Sequence, residues 1–312
     1  MKKLTQQSFN AARNWLADHG RPLEQALCAV FFDQGSPGAV VDALSVYQNA
    51  DGGYGHQLEP DHTNDGSTVL NTSVALAIHR RLGTPSDHPQ ITEAVAYLAS
   101  CYDHSQKVWP IRPPVTPGDE GPPWFAAESM EALMASFGGC RVNPSAEVVG
   151  YLLDHSVEGE FDGLRQATDH VMQAVLDSDV SLNPHDLMCA AELLRTSGLP
   201  DGLCQRLYEK LIVALPAAVE SDPTKWQGYA FRPTQVIDGP THPLAGCVPE
   251  ALLAADLEFE IDRLADDGAW HPFWDWGKAS SGWREAERAW TSILTERTLR
   301  VLANFGRIEI RR

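Results

Sequence analysis

An all-α fold, built as a ring of helical hairpins, follows from three observations. Apolar residues recur at helical spacing along nearly the whole chain. No run of strand-like alternation interrupts them before the last few residues. And aromatic residues that each follow one helical pattern and precede the next stand at Tyr54, Trp109, Phe161, Trp226 and Trp270, separated by about 55, 52, 65 and 44 residues, near the length of a hairpin plus its loop. A hairpin cannot bury its own apolar face, so neighbours must stack, and a ring dispenses with capping repeats.

Each element can be justified in order. Phe9, Ala12, Trp15 and Leu16 mark a first helix. Leu23, Ala26, Leu27, Val30 and Phe31 mark a second, opened by Pro22. Val40, Val41, Leu44 and Tyr47 stripe a third, from Ser36 to Gln48, with Ser36 as N-cap and Pro37 just inside. Asp51-Gly52-Gly53 then forces a turn, because paired glycines supply backbone angles that other residues resist. Leu70, Val74, Ala77 and Ile78 give a helix buried on most sides and closed by Gly83. Ile91, Val95 and Leu98 give the next. The stretch from Ile111 to Pro123 is too rich in proline for regular structure. Helices follow on Met130, Leu133 and Met134; on Val148, Tyr151 and Leu152; on Val171, Ala174 and Val175; on Leu187, Ala190, Ala191 and Leu194; on Leu207, Leu211 and Leu215; on Val248, Leu252, Leu257 and Ile261; and on Trp290, Ile293, Leu294 and Val301. The tail from Arg307 to Arg312 alternates and reads as a short strand or a loose end.

Composition narrows the partners. The chain has 312 residues, 43% hydrophobic and 21% charged, enough for a sizeable core in one large domain or two ordinary ones; the ring of hairpins makes it a single domain spanning 1–312. A net charge of −18 disfavours nucleic acid and anionic lipid. The start Met1-Lys2-Lys3-Leu4 has no apolar run behind it, and no stretch approaches the roughly 18 apolar residues of a membrane span. Six scattered cysteines with no Cys-x-x-Cys pair read as free thiols in a reducing compartment, so a cytoplasmic location is expected.

The run Gln48-Asn49-Ala50-Asp51-Gly52-Gly53-Tyr54-Gly55 resembles the repeat of terpenoid cyclases and protein prenyltransferase β-subunits, and Asp266-Asp267-Gly268-Ala269-Trp270 resembles it again near the C-terminus. Gly55-His56-Gln57-Leu58-Glu59-Pro60-Asp61 is similar to a segment of bacterial toroid proteins. The resemblance implies an (α/α) toroid of five to six hairpins around a central cavity. It does not bring the superfamily's chemistry with it. The Asp-x-Asp-Asp acid of one cyclase class is absent, Asp266-Asp267 lacks the third aspartate of the other class, and no Asp, Cys and His set matches the prenyltransferase zinc site.

Three constellations carry ionisable or aromatic groups in expected loops. His56, Glu59, Asp61 and His62, with Asp65 nearby, read either as an acid/base pair of Glu59 and Asp61, as a divalent-metal site, or as a solvated loop that caps helices. Trp270, Trp274, Asp275, Trp276 and Trp283 read as walls for an apolar or sugar ligand, or as packing that closes the ring. Trp109, Arg112, Asp119, Glu120 and Trp124, and with them Tyr229, Arg232 and His242 through Trp226, are expected on the same rim. No Ser-His-Asp signature or phosphate-cradling glycine loop is present, and no cofactor is indicated. The expected ligand is a small molecule, a terpenoid or a carbohydrate, acted on by an enzyme, or else a small molecule or peptide held by a non-catalytic binding module.

Overall fold

The computed structural model describes residues 1–113, 121–127, 129–155, 161–177, 182–277 and 282–309. Among them are twelve α-helices, four short 3-10 turns and isolated bridges, with no extended sheet, so the fold is all-α. They fall into two compact units, Met1–Leu44 with Val219–Arg312, and Ser45–Ala218.

The first unit holds α1 (Gln6–His19), α2 (Pro22–Phe32), most of α3 (Pro37–Ser45), α11 (Glu250–Asp262) and α12 (Trp283–Asn304). Thr5 caps α1 by accepting the Ser8 amide, and Pro22 opens α2. α12 packs on both α1 and α2. Phe9, Leu16, Leu257, Ile261, Trp270, Leu299 and Leu302 share one core. Ile308 pairs with Leu4 in a single parallel bridge, and the end of the alternating tail, 310–312, lies outside the described residues.

The second unit holds α4 (Val69–Leu82), α5 (Pro89–Ser100), α6 (Met130–Ser136), α7 (Ser145–His155), α8 (Leu164–Asp177), α9 (Pro184–Leu193) and α10 (Asp201–Ala218). α7 sits at its centre, against α4, α5, α8 and α9. Thr68 caps α4, and Gly83 ends it in the left-handed region at φ 64°. Where the sequence predicts a helix to Gln48, α3 stops at Ser45. The chain turns there because Gln48 is drawn into a bridge with Tyr54, which also bridges Thr68.

The predicted repeat has a hydrogen-bond basis. Gly53, which precedes Tyr54, accepts the Asn49 amide through its carbonyl (2.8 Å); Ala269, which precedes Trp270, accepts that of Ala265 (3.0 Å). Asp51 Oδ1 accepts the Gly53 amide and Asp267 Oδ1 the Ala269 amide. Gly52 and Gly268 have φ of 85° and 91°, and a Cβ on Gly52 would lie 2.5 Å from the Glu93 carbonyl oxygen. Trp109 repeats the scheme with a loop one residue longer, Asp103 donating to Val108, and Lys107 takes the positive φ in place of glycine. All three anchors then donate their backbone N–H to a hydroxyl of a helix that follows: Tyr54 to Thr72, Trp109 to Ser145, Trp270 to Thr295. The indoles of Trp109 and Trp270 reach back to the carbonyls of Leu98 and Glu260. Trp226 keeps only the second half, its indole donating to Glu220. Phe161 does not form an anchor of this kind; its ring packs on Tyr102 and Trp109.

Candidate functional site

The loop that follows Tyr54 is shaped by close backbone approaches. A Cβ on Gly55 would fall 2.2 Å from the Asp65 carbonyl oxygen, so only glycine fits. His56 and Gln57 both adopt the left-handed region, at φ 52° and 58°. This sets His56 apart from the other ionisable groups of the loop. Its Nε2 lies 2.9 Å from Asn49 Oδ1 and its Nδ1 3.3 Å from Asp65 Oδ1.

Glu59, Asp61 and His62 turn the other way, and Asn71 in the first turn of α4 organises them. Asn71 Oδ1 accepts the Glu59 amide at 2.7 Å. That fixes the amide orientation, so Asn71 Nδ2 is the group facing Thr68 Oγ1 (2.8 Å) and His62 Nδ1 (3.1 Å). Glu59 Oε2 accepts the Asp61 amide (3.0 Å) and stands 3.7 Å from His62 Nδ1. Since His62 Nδ1 accepts from Asn71, the imidazole proton resides on Nε2. His62 is 1% exposed, and Nε2 has no hydrogen-bond partner among the described residues. Burial pushes its pKa down to about 3, and the charge of Arg112 adds to the effect. The ring stacks on Phe125 at 4.6 Å, and the Arg112 guanidinium lies 5.5 Å from the same ring. A neutral imidazole thus holds a buried Nε2–H donor, while the Glu59 carboxylate lies on the Nδ1 side of the ring; such a fixed donor can polarise a ligand carbonyl or hydroxyl oxygen.

The metal reading of this loop finds no ligand set among the described residues. His56 is turned to Asn49 and Asp65, and among the described residues no group of three or more His, Cys, Asp or Glu side chains is placed to hold a metal ion.

The other predicted residues are distributed as follows. Trp109 is sealed from solvent with its backbone and indole N–H groups both satisfied by protein, so it is a packing anchor and no ligand wall. Trp124 is partly exposed in the turn Pro123–Phe125. Asp119 and Glu120 lie outside the described residues. In the first unit the Arg232 guanidinium is paired with Asp256 and Glu260, one helical turn apart on α11, and lies 4.8 Å from the Phe259 ring. His242 is buried, its Nδ1 accepting the Leu244 amide. Tyr229 is 71% exposed, with its ring 5.9 Å from Phe273. Trp274 is half-buried between Phe273 and Trp290, Asp275 is exposed and accepts the Gly277 amide, and Trp276 is buried against Trp283. The two sets therefore belong to different units.

One group escapes sequence reasoning. Glu147, in the first turn of α7, has its pKa pushed up to about 8 by burial, reinforced by the charge of Glu192. Its signal in the sequence is a lone acid in the apolar run Ala146-Glu147-Val148-Val149. No family model matches the chain, and no curated protein matches it.

Proposed function

We propose that the chain is an (α/α) toroid of the terpenoid cyclase and prenyltransferase type of fold, and an enzyme that acts by acid/base chemistry on a small molecule, a terpenoid or a carbohydrate, in its central cavity. The threefold recurrence of the anchor pattern at Tyr54, Trp109 and Trp270 supports the scaffold. One observation carries the chemistry: His62 presents a buried Nε2–H without a hydrogen-bond partner among the described residues, in the loop that also carries Glu59 and Asp61. Buried donors are almost always paired, so one left open at a carboxylate cluster marks the place of a ligand oxygen. In this reading His62 holds the oxygen, and Glu59 and Asp61 exchange the proton. With a pKa of about 3 the imidazole itself is too weak a base for that task at neutral pH. Six cysteines that are all free agree with a reducing, cytoplasmic setting.

The test is an activity screen of the purified chain against terpenoid diphosphates and glycosides, followed by substitution. Glu59→Gln and Asp61→Asn are expected to lower kcat by about 100-fold or more. An activity untouched by both removes the catalytic assignment. The same fixed, neutral imidazole also suits a non-catalytic module that recognises a ligand by hydrogen bonding. That reading predicts stoichiometric ligand retention, lost in His62→Phe, with no turnover of the retained molecule.

A further inference from the structure

Arg297 and Arg300 stand three residues apart on α12, and the structure treats them differently. Arg300 is gripped by Glu296 one turn earlier, Nε to Oε1 at 3.0 Å, and lies 3.9 Å from Asp238. Arg297 has no such partner: among the described residues no carboxylate comes within ion-pair distance of it. Its Nη2 donates instead to two backbone carbonyls, Thr234 at 3.2 Å and Gln235 at 2.9 Å. The acids of this corner are engaged elsewhere. Asp256 holds Arg232 and accepts the Thr234 amide, Glu260 holds Arg232 and Arg263, and Glu296 and Asp238 face Arg300.

A half-buried guanidinium without a carboxylate is costly to keep, because the partial desolvation of the charge is not offset by a counter-charge in contact. Burial pulls the Arg297 pKa down, and the neighbouring charge of Arg300 adds to this. Yet the group is built in firmly. The turn Pro233–Gln235 that receives its Nη2 is pinned by Asp256 at the Thr234 amide and by Gln235 Oε1 at the Arg232 amide (2.7 Å). Arg297 Nε and Nη1 find no protein acceptor among the described residues, and the side chain keeps part of its surface accessible. A positioned, incompletely used cation of this kind is what recognition of an oxyanion requires.

We infer that Arg297 is an anion-binding residue that takes a singly charged carboxylate of a small molecule at the corner of α12, α11 and the 233–235 turn. A single charge is favoured because four carboxylates surround the corner; each is paired, but together they penalise a dianion. The inference rests on this corner alone and does not depend on Glu59 or Asp61 being catalytic.

The experiment is thermal melting and titration calorimetry of the full chain with acetate and benzoate, with inorganic phosphate and pyrophosphate as separate arms. Benzoate is expected to bind with a stoichiometry of one and, at about ten times its Kd, to raise Tm by roughly 2 °C or more. Arg297→Gln should weaken that binding at least tenfold, and Arg297→Lys, which keeps the charge but not the planar fork, should weaken it measurably. Unchanged affinity in Arg297→Lys, or in a folded Arg297→Gln, overturns the inference, as does a wild-type chain that answers to no carboxylate. Phosphate or pyrophosphate binding more tightly than benzoate overturns the single-charge assignment.

Discussion

The loops that follow Tyr54 and Trp270 leave nearly identical turns and arrive at different chemistry. Both turns use an aspartate that accepts the amide two residues on, a glycine at positive φ, and an aromatic whose N–H is held by a threonine hydroxyl. Beyond that point the first loop folds Glu59, Asp61 and His62 under the Asn71 amide. The second sets Trp274 edge to face against Phe273 and Trp290, and tilts Trp276 against Trp283. The anchor fixes where a loop starts, and the residues after it decide what the loop presents.

The comparison breaks most visibly at the anchors themselves. Trp270→Ala removes a fully buried indole, its bond to the Glu260 carbonyl and the packing of the core it shares with Leu257 and Leu299. A loss of about 3–5 kcal/mol is expected in denaturant unfolding. Trp109→Ala should cost a similar amount in the second unit. Alanine at Trp274, which is half-buried, should cost clearly less. Equal costs at Trp270 and Trp274 would show that the anchor has no special standing.

Much of this was legible in the sequence, for identifiable reasons. Helical periodicity located the helices from α1 to α12, and Asp-Gly pairs located the two strongest turns, because both signals are local. The third turn was harder to read because Lys107, not glycine, takes its positive φ. The division of His56 from His62 was not legible. It depends on two consecutive left-handed residues and on an asparagine nine positions downstream of His62. Nor did sequence separate Arg232 from Arg297. Arg232 precedes a turn and Arg297 lies within α12, but only tertiary contacts give the first two carboxylates and the second none among the described residues.

Two titrating groups of the second unit, His62 and Glu147, extend the comparison to pH. His62 has a pKa of about 3, below its ordinary 6.5, so between those values the unfolded chain binds a proton that the folded chain does not. Stability from this group is complete above pH 6.5 and is lost as pH falls toward 3, with a slope approaching about 1.4 kcal/mol per pH unit. Glu147 has the opposite sign. Its pKa of about 8, against an ordinary 4.5, makes the folded chain the proton-richer state in that window, so its contribution is complete below 4.5 and is lost as pH rises toward 8. Where the windows overlap the two oppose each other. His62→Gln should therefore flatten the acid limb of a stability–pH curve, and Glu147→Gln the limb between pH 6.5 and 8. A Glu147→Gln curve that still falls over that interval would mean the carboxyl is already ionised in the folded chain.

The smallest expected effect concerns what the first anchor lacks. The Trp109 and Trp270 indoles donate to carbonyls ten or eleven residues back, whereas the Tyr54 hydroxyl is buried with no hydrogen-bond partner among the described residues. Burial, with the charge of Glu93 adding to it, pushes the Tyr54 phenol pKa up. An unsatisfied buried hydroxyl costs its desolvation without recovering a bond. Tyr54→Phe keeps the ring, its packing and the backbone bond to Thr72, and removes only that oxygen. Stability is expected to stay level or rise by up to about 1 kcal/mol, the reverse of what removing an indole N–H should do at the other two anchors. A loss of more than about 1 kcal/mol in Tyr54→Phe would mean that the hydroxyl has a partner, such as a bound water, and that all three anchors use their polar tips alike.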